Sequence, residues 1–432
     1  MRILFVTPYP PSRIRVRGYG FLAQLRRSHE VTIAAQCASE QEQADVEKLR
    51  REGYEVVVVS ESKKRSAVQS GLALLGTTPL QAAYARSARF ARVVRQLFEQ
   101  RGFDAIHVEH LRGIASMETL IGKYPLVWDA VDCISLLSKQ TMAEGPSRAV
   151  RMVARLEYER TRRYEAHMLS LLSSTIVTSE RDRQAMIELR RLFTRDLVSS
   201  DNTLGNDIQV IPNGVDLEYF RPMPQERRRL NLVFSGKMSY HANIATALYL
   251  YRQIMPLIWE QRPEATLTIA GSKPPKVVQA LAQDPRVEVT GYVDDLRPYV
   301  TRAEVMPCPM VYSVGIQNKA LEAMALGTPV VVARQAAESL GAQPGRDLLV
   351  ADSAREFAQA TLRLLDDADM RASLSQHGRA YVEQHHDWSK IAERLANVYQ
   401  QARETHAPDY TGTGSIIARK SGKDEEQRRG SQ

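Results

Sequence analysis

The residues best suited to chemistry lie in one run, Tyr312-Ser-Val-Gly-Ile-Gln-Asn-Lys-Ala-Leu-Glu-Ala-Met-Ala-Leu-Gly-Thr-Pro-Val-Val331. Gly315 lets the backbone come close to a bound group. A helix is predicted to begin at Gln317–Lys319. The first turn of a helix presents free N–H groups and partial positive charge, a natural seat for phosphate, and Lys319 adds a cation there. Glu322 follows one turn further in. An ionised carboxylate accepts two hydrogen bonds, which suits the adjacent hydroxyls of a ribose. Gly327-Thr-Pro329 ends the helix and opens a strand. The same pattern also fits an ordinary loop, helix and strand, with Glu322 serving only the helix dipole.

Other candidates sit where strands are predicted to end. Pro8-Tyr-Pro-Pro-Ser-Arg-Ile-Arg-Val-Arg-Gly-Tyr-Gly20 follows the first strand. Arg13, Arg15 and Arg17 alternate, so an extended loop would place them on one face, with Gly18 and Gly20 at a helix start. This reads as a loop for phosphate or a second substrate, or as a solvated basic loop. Gly-x-Gly-x-x-Gly is absent here, which argues against a dinucleotide cofactor. Asp129 and Asp132 end the strand in Leu126-Val-Trp-Asp-Ala-Val-Asp132, and each could instead cap the following helix. His110 follows another strand and could meet hydroxyls or be structural. Glu180 ends a third. No His, Asp or Glu cluster has metal-ligand spacing, so no metal is expected. Cys37, Cys133 and Cys308 are odd in number and far apart, and read as reduced thiols of a cytoplasmic protein.

The elements that must position these residues repeat. The chain has 432 residues, 44% hydrophobic and 25% charged, which suits about two or three domains. Short strands rich in Val and Ile are predicted at 2–7, 30–35, 54–60, 104–108, 125–129, 174–179 and 208–212, then again at 231–235, 266–270, 286–290, 304–308, 329–333 and 347–350. Helical stretches between them include 18–28, 41–52, 87–101, 148–171, 244–261, 318–326 and 354–366. Repeated strand–helix units argue for an α/β chain with a doubly wound parallel sheet in each half. The expected division is 1–222 and 223–387, then a helix over 388–405 returning toward the first domain, and a disordered polar tail over 406–432. The first residues read as a strand rather than a secretory signal, and no apolar run reaches the ~20 residues that span a bilayer.

The charge is uneven. The net is +8, and residues 1–200 hold 31 of the 58 Lys and Arg against 22 of the 50 Asp and Glu. The basic half prefers an anionic partner. Lys63-Lys-Arg65 before the apolar Ala67–Leu75, and the arginine-rich stretch Ser147–Arg163, together suggest an anionic membrane surface. Nucleic acid is disfavoured, because stacking aromatics are not interleaved with the basic residues.

Gly315, Glu322-Ala-Met-Ala325 and Gly327-Thr-Pro-Val-Val331 together resemble the signature of retaining GT-B glycosyltransferases of family 4 (glycosyl transferases group 1). Ile208-Gln-Val-Ile-Pro-Asn-Gly-Val-Asp216, Phe234-Ser-Gly-Lys237, Thr268-Ile-Ala-Gly271 and Val289-Thr-Gly-Tyr-Val293 resemble further segments in the same order. The resemblance covers roughly residues 1–400 and is strongest to sugar transferases of bacterial exopolysaccharide clusters. It implies two Rossmann-like domains facing across a cleft, and transfer of a hexose from a UDP- or GDP-sugar with retention to a glycan or lipid-linked acceptor. No cofactor beyond that co-substrate is implied. The enzyme would be cytoplasmic or peripheral at the inner face of the plasma membrane. By resemblance Gly315, Ile316, Gln317, Asn318, Lys319 and Leu321 surround the donor diphosphate, and Glu322 takes the ribose. Gly236, Lys237, Asn243, Gly291, Tyr292 and Val293 complete the donor side. Asp129 becomes the first catalytic candidate, with His110 beside it. Arg15, Arg17, Gly18, Asp132 and Glu180 fall to the substrate side. Two departures stand out. Val314 occupies the place of a second glutamate, and Lys237 and Ala242 stand where the family often has Arg and Lys. A sugar-nucleotide epimerase of the same build and a non-catalytic nucleotide-sugar-binding protein remain as alternatives.

Overall fold

The structure, a computed structural model, describes residues 1–12, 15–62, 68–71, 73, 76–144, 148–193, 208–310 and 316–406. Arg13, Lys63–Ala67, Leu72, Leu74 and Leu75 of the apolar stretch, Val314, Gly315 and the tail beyond His406 lie outside the described residues.

The N-terminal half is one parallel sheet. Its strands are β1 (Arg2–Thr7), β2 (Glu30–Cys37), β3 (Glu55–Ser60), β4 (Ala105–Glu109), β5 (Leu126–Val131), β6 (Thr175–Val177) and β7 (Ile208–Val210), in the order β3-β2-β1-β4-β5-β6-β7. Phe5 pairs with Ile33 on one side and with His107 on the other. The strands read as near-continuous apolar runs because both faces are covered, as parallel sheets require. One face packs Phe90, Ile106, Trp128 and Met186. The other packs Ile3, Phe5, Phe21 and Ile33.

The C-terminal half repeats the plan. It comprises β8 (Asn231–Ser235), β9 (Thr266–Ala270), β10 (Val287–Gly291), β11 (Met306–Cys308), β12 (Val330–Val332) and β13 (Leu349–Val350). The runs β10-β9-β8 and β11-β12-β13 are each parallel, and a bridge between Leu232 and Val305 joins them. Apolar cores again lie on both faces.

Several helices differ from expectation, each for a local reason. The predicted helix 244–261 is divided into His241–Tyr249, a wider turn at Leu250–Ile254 and Met255–Trp259. Pro256 has no N–H to give and crowds the preceding turn. The helix Ile134–Glu144 takes a cap from a residue distant in sequence. Its first amides are met by Glu165 of the helix Arg148–Leu171, at 2.7 Å from Ile134 N and 3.1 Å from Ser135 N. His110–Met117 begins directly after β4, where His110 turns the chain at φ 67°.

The chain passes between the halves after β7 and returns near Asp387, and Val215 forms a parallel bridge to Asp387. The last helix, Trp388–His406, lies on the N-terminal sheet. Trp388, Leu395 and Tyr399 join the core of Ile3, Phe5 and Phe21. The Trp388 ring fills the space above two glycines. A Cβ at Gly20 would stand 2.3 Å from it and one at Gly214 2.6 Å. Trp388 is only 5% exposed, so it has nowhere to move. Gly20→Ala should therefore lower stability by about 1–3 kcal/mol, the usual range for overpacking. A thermal midpoint equal to the parent's would show that the wedge yields.

Candidate active site

The two halves face each other with the carboxyl ends of their strands, where open α/β sheets hold ligands. A cleft of about 650 Å3 lies between them. The N-terminal half contributes Asp132, Leu137, Thr141 and Val150. The C-terminal half contributes Gly236, Lys237, Asn243 and Met310, and the helix start with Ile316, Gln317, Asn318, Lys319 and Glu322. Tyr240 and His241 also line it, and the sequence reading did not single them out.

The C-terminal wall is tightly tied. The helix Asn318–Ala325 begins after Gln317 in extended conformation, and no side chain caps its first amides. Lys319 Nζ donates to Asn243 Oδ1 at 2.6 Å, and Asn243 Nδ2 donates to the Lys237 carbonyl at 3.0 Å. Gly236 sits at φ 147°, and a Cβ there would come within 2.8 Å of the Asn243 amide. The lysine, the asparagine and the glycine turn thus fix one another. Burial lowers the Lys319 pKa, against the pull of Cys308 and Glu322. Lys237 is exposed in the cleft and has no carboxylate partner among the described residues. Glu322 accepts no side-chain hydrogen bond among the described residues. Burial pushes its carboxyl up to about 7, with Lys319 opposing.

On the N-terminal wall the two aspartates separate. Asp129 is fully buried and receives the Arg17 guanidinium in a fork, at 2.7 and 3.0 Å. It is committed to an internal ion pair and does not line the cleft. Asp132 does. It accepts from Thr178 Oγ1 at 3.0 Å, and burial pushes it up to about 6, with Asp182 adding to the rise. Between them Val131 is held at φ 68°, a strained state for a β-branched residue. Asp132 is therefore the better-placed carboxylate, which reverses the order expected from the resemblance.

Arg17 continues inward. It donates to the Ile211 carbonyl at 2.8 Å and to Asn213 Oδ1 at 3.0 Å, and Asn213 Nδ2 donates to Asn318 Oδ1 at 3.1 Å. A polar chain so runs from the N-terminal sheet to the first residue of the cleft helix. Asn213 lies inside the Pro-Asn-Gly-Val-Asp segment, which was the available signal for it.

The remaining expectations divide. Arg15 and Arg17 do not share a face, because the helix Val16–Leu25 starts between them. Arg15 pairs with Glu42 at 3.2 Å, in a neighbouring pocket. Gly18 is buried, and a Cβ there would approach Glu109 Oε2 at 3.1 Å. Glu109 itself was missed. It is 4% exposed, accepts from Thr7 Oγ1 at 3.0 Å, and is raised to about 7 by burial and by Asp129. His110 does not line the cleft. Burial and Arg112 lower it to about 4, so it stands neutral, and its Nδ1 accepts from the Arg112 amide at 3.2 Å. Glu180 is exposed at a helix start, paired with Arg183 at 3.0 Å, and is not in the cleft lining. Leu321 is fully buried in the core. Gly291, Tyr292 and Val293 end β10 outside the cleft lining, with Tyr292 75% exposed.

Comparison with known proteins agrees with this architecture. Residues 46–219 match the model of Glycosyltransferase Family 4, and residues 229–367 that of Glycosyl transferases group 1. Between them the matches cover most of the chain, which belongs to the family 4, or group 1, glycosyltransferases. A GDP-mannose-dependent monoacylated alpha-(1-6)-phosphatidylinositol monomannoside mannosyltransferase of Corynebacterium glutamicum is 28% identical over 212 residues, 44% of this chain and 55% of that protein. A D-inositol 3-phosphate glycosyltransferase of Corynebacterium aurimucosum is 25% identical over 242 residues, 50% of this chain and 56% of that one. The chain thus spans a little over half the length of these curated relatives. Among solved structures, the Anabaena protein HepE in complex with UDP superposes with TM-score 0.63 at 17% identity, over 93% of this chain and 100% of that one. That likeness is one of fold.

Glu322 yields a test in pH. Its carboxyl ordinarily titrates near 4.5 and is raised to about 7 in the folded chain. The fold therefore holds that proton more tightly than the unfolded chain does. The resulting stabilisation is full below about 4.5 and is lost as the pH rises toward 7. Glu322→Gln should gain stability relative to the parent across that window. Parallel thermal midpoints at acid and neutral pH check it, and a constant difference would remove the assignment.

Proposed function

We propose that the protein is a retaining glycosyltransferase that moves a hexose from a nucleoside diphosphate sugar to a glycan or lipid-linked acceptor, in cell-surface or exopolysaccharide synthesis. The observation that carries this reading is the unpartnered Glu322 carboxylate one turn inside an uncapped helix start, in a cleft of sugar-nucleotide size. The first-turn amides of Asn318 and Lys319, which no side chain caps, and the Lys237 ammonium suit the diphosphate. The departing charge would be met by groups already in place, the kind of preorganised electrostatics that dominates many enzymes. Glu322 suits the ribose diol, and Asp132 faces the space left for the sugar. The two cleft carboxylates come from opposite walls and have separate duties here, so a leaving phosphate that assists attack from the same face fits better than a double displacement between paired carboxylates.

A lipid-linked acceptor is supported by the start of the helix Arg148–Leu171. Val150, Met152, Val153 and Leu156 are exposed there, beside Lys139, Arg148 and Arg155. Val150 also lines the cleft. Apolar side chains among cations suit an anionic leaflet. No described helix is long and apolar enough to cross a membrane.

Calorimetric titration with UDP-, GDP- and ADP-sugars tests the reading. One base should bind, and Glu322→Ala should weaken it roughly tenfold or more, the cost of hydrogen bonds to a charged group. Unchanged affinity in the variant would refute the ribose assignment. Epimerised donor formed without acceptor would refute the transferase.

A further inference from the structure

A second pocket lies at the point where the N-terminal sheet changes direction. From β1 the strand order runs outward to β2 and β3 on one side and to β4 through β7 on the other. Such a switch point is where open α/β sheets bind ligands. The pocket there is about 260 Å3, and its lining includes Tyr9, Arg15, Glu42, Glu61, Arg86 and Arg112. It shares no lining residue with the cleft of Glu322.

The cations in it are unequal. Arg15 is paired with Glu42 and lies over the Tyr9 ring at 3.9 Å. Arg86 is paired with Glu118. Arg112 has no carboxylate partner among the described residues, and its Nε is buried with no hydrogen-bond acceptor. A guanidinium N–H removed from water and left unmet is costly, and an oxyanion is the group that meets it best. Beyond Arg86 the pocket leads to a wider groove of about 640 Å3, also lined by Arg86. Arg92, Arg95 and Lys123 line that groove without carboxylate partners among the described residues, while its Glu99 accepts from Tyr124 at 2.8 Å.

We infer that this pocket is the acceptor site and that the acceptor carries a phosphate group, seated on Arg112 beside Arg15. The rest of the acceptor leaves over Arg86 toward Arg92 and Arg95. The inference rests on the glycosyltransferase reading for the word acceptor, and the phosphate preference stands on the pocket itself.

The test compares glucose 6-phosphate with glucose by calorimetric titration of the full chain. The phosphorylated sugar should bind at least about tenfold tighter, the scale of one charge-assisted hydrogen-bond set. Arg112→Gln should abolish the difference, and Arg112→Lys should restore part of it. Circular dichroism confirms that each variant is folded. Equal binding of the two sugars, or a preference that survives Arg112→Gln, overturns the proposal. Co-sedimentation with vesicles of phosphatidylcholine plus phosphatidylinositol, against phosphatidylcholine alone, separates the sources. Binding lost in Arg112→Gln places the phosphate on a lipid. Absent vesicle binding with the soluble preference intact places it on a soluble acceptor. Failure to bind any sugar nucleotide would overturn the donor reading and leave the phosphate preference standing.

Discussion

The structure depends on one buried ion pair. Arg17 and Asp129 are 5% and 0% exposed, and they meet in a two-point fork. Removing two charges from water is expensive, and only good geometry with further hydrogen bonds repays it. Here the repayment is specific. The guanidinium also holds the Ile211 carbonyl and Asn213, and Asn213 holds Asn318. Loss of one partner from such a pair costs about 3–5 kcal/mol in other proteins. The pair therefore fixes the place where the chain leaves the first sheet, and through Asn213 it fixes the helix that faces the cleft. His386 Nδ1 also lies 2.7 Å from the Asn213 carbonyl, so the outgoing and returning strands of the connection are gathered at one residue.

Around that fixed point the carboxylates are held in unusual states. Glu109 and Glu322 are raised to about 7 and Asp132 to about 6. In each case burial is the first cause. A diphosphate entering the cleft adds negative charge beside Asp132 and Glu322, which alone would raise them further. For Glu322, Lys319 opposes that effect from the same wall. On the proposed reading, Lys319 therefore bears on whether Glu322 is ionised when a ribose arrives.

Much of this was legible in the sequence, and the exceptions have physical causes. All thirteen strands lie near their expected places, because apolar runs bounded by polar residues report burial on both faces directly. The helices Ile134–Glu144 and His110–Met117 were missed for different reasons: distant Glu165 caps one, and the other begins at a left-handed His110 with no ordinary start signal. The cleft helix was legible from its own residues, although its place is fixed by Asn213 and Asn243. The choice between Asp129 and Asp132 could not be read locally. It turns on Arg17, which lies far away in sequence, and on the reversed backbone at Val131. Arg15 and Arg17 were expected on one face, and a helix beginning two residues earlier than assumed parts them. Arg112 offered no sequence signal, because a lone arginine on a helix is ordinary until its surroundings are known.

The Trp388 wedge bears on how the chain comes to be folded. The residues of the first sheet are made early, yet part of the cover over Ile3, Phe5 and Phe21 comes from Trp388, Leu395 and Tyr399 of the last helix. Tyr399 also pairs with His107 at 2.9 Å. During synthesis that part of the face stays open while the entire second half is produced. Exposed apolar surface of this kind is prone to association. The first domain, begun first, is thus completed last, when the final helix packs onto it.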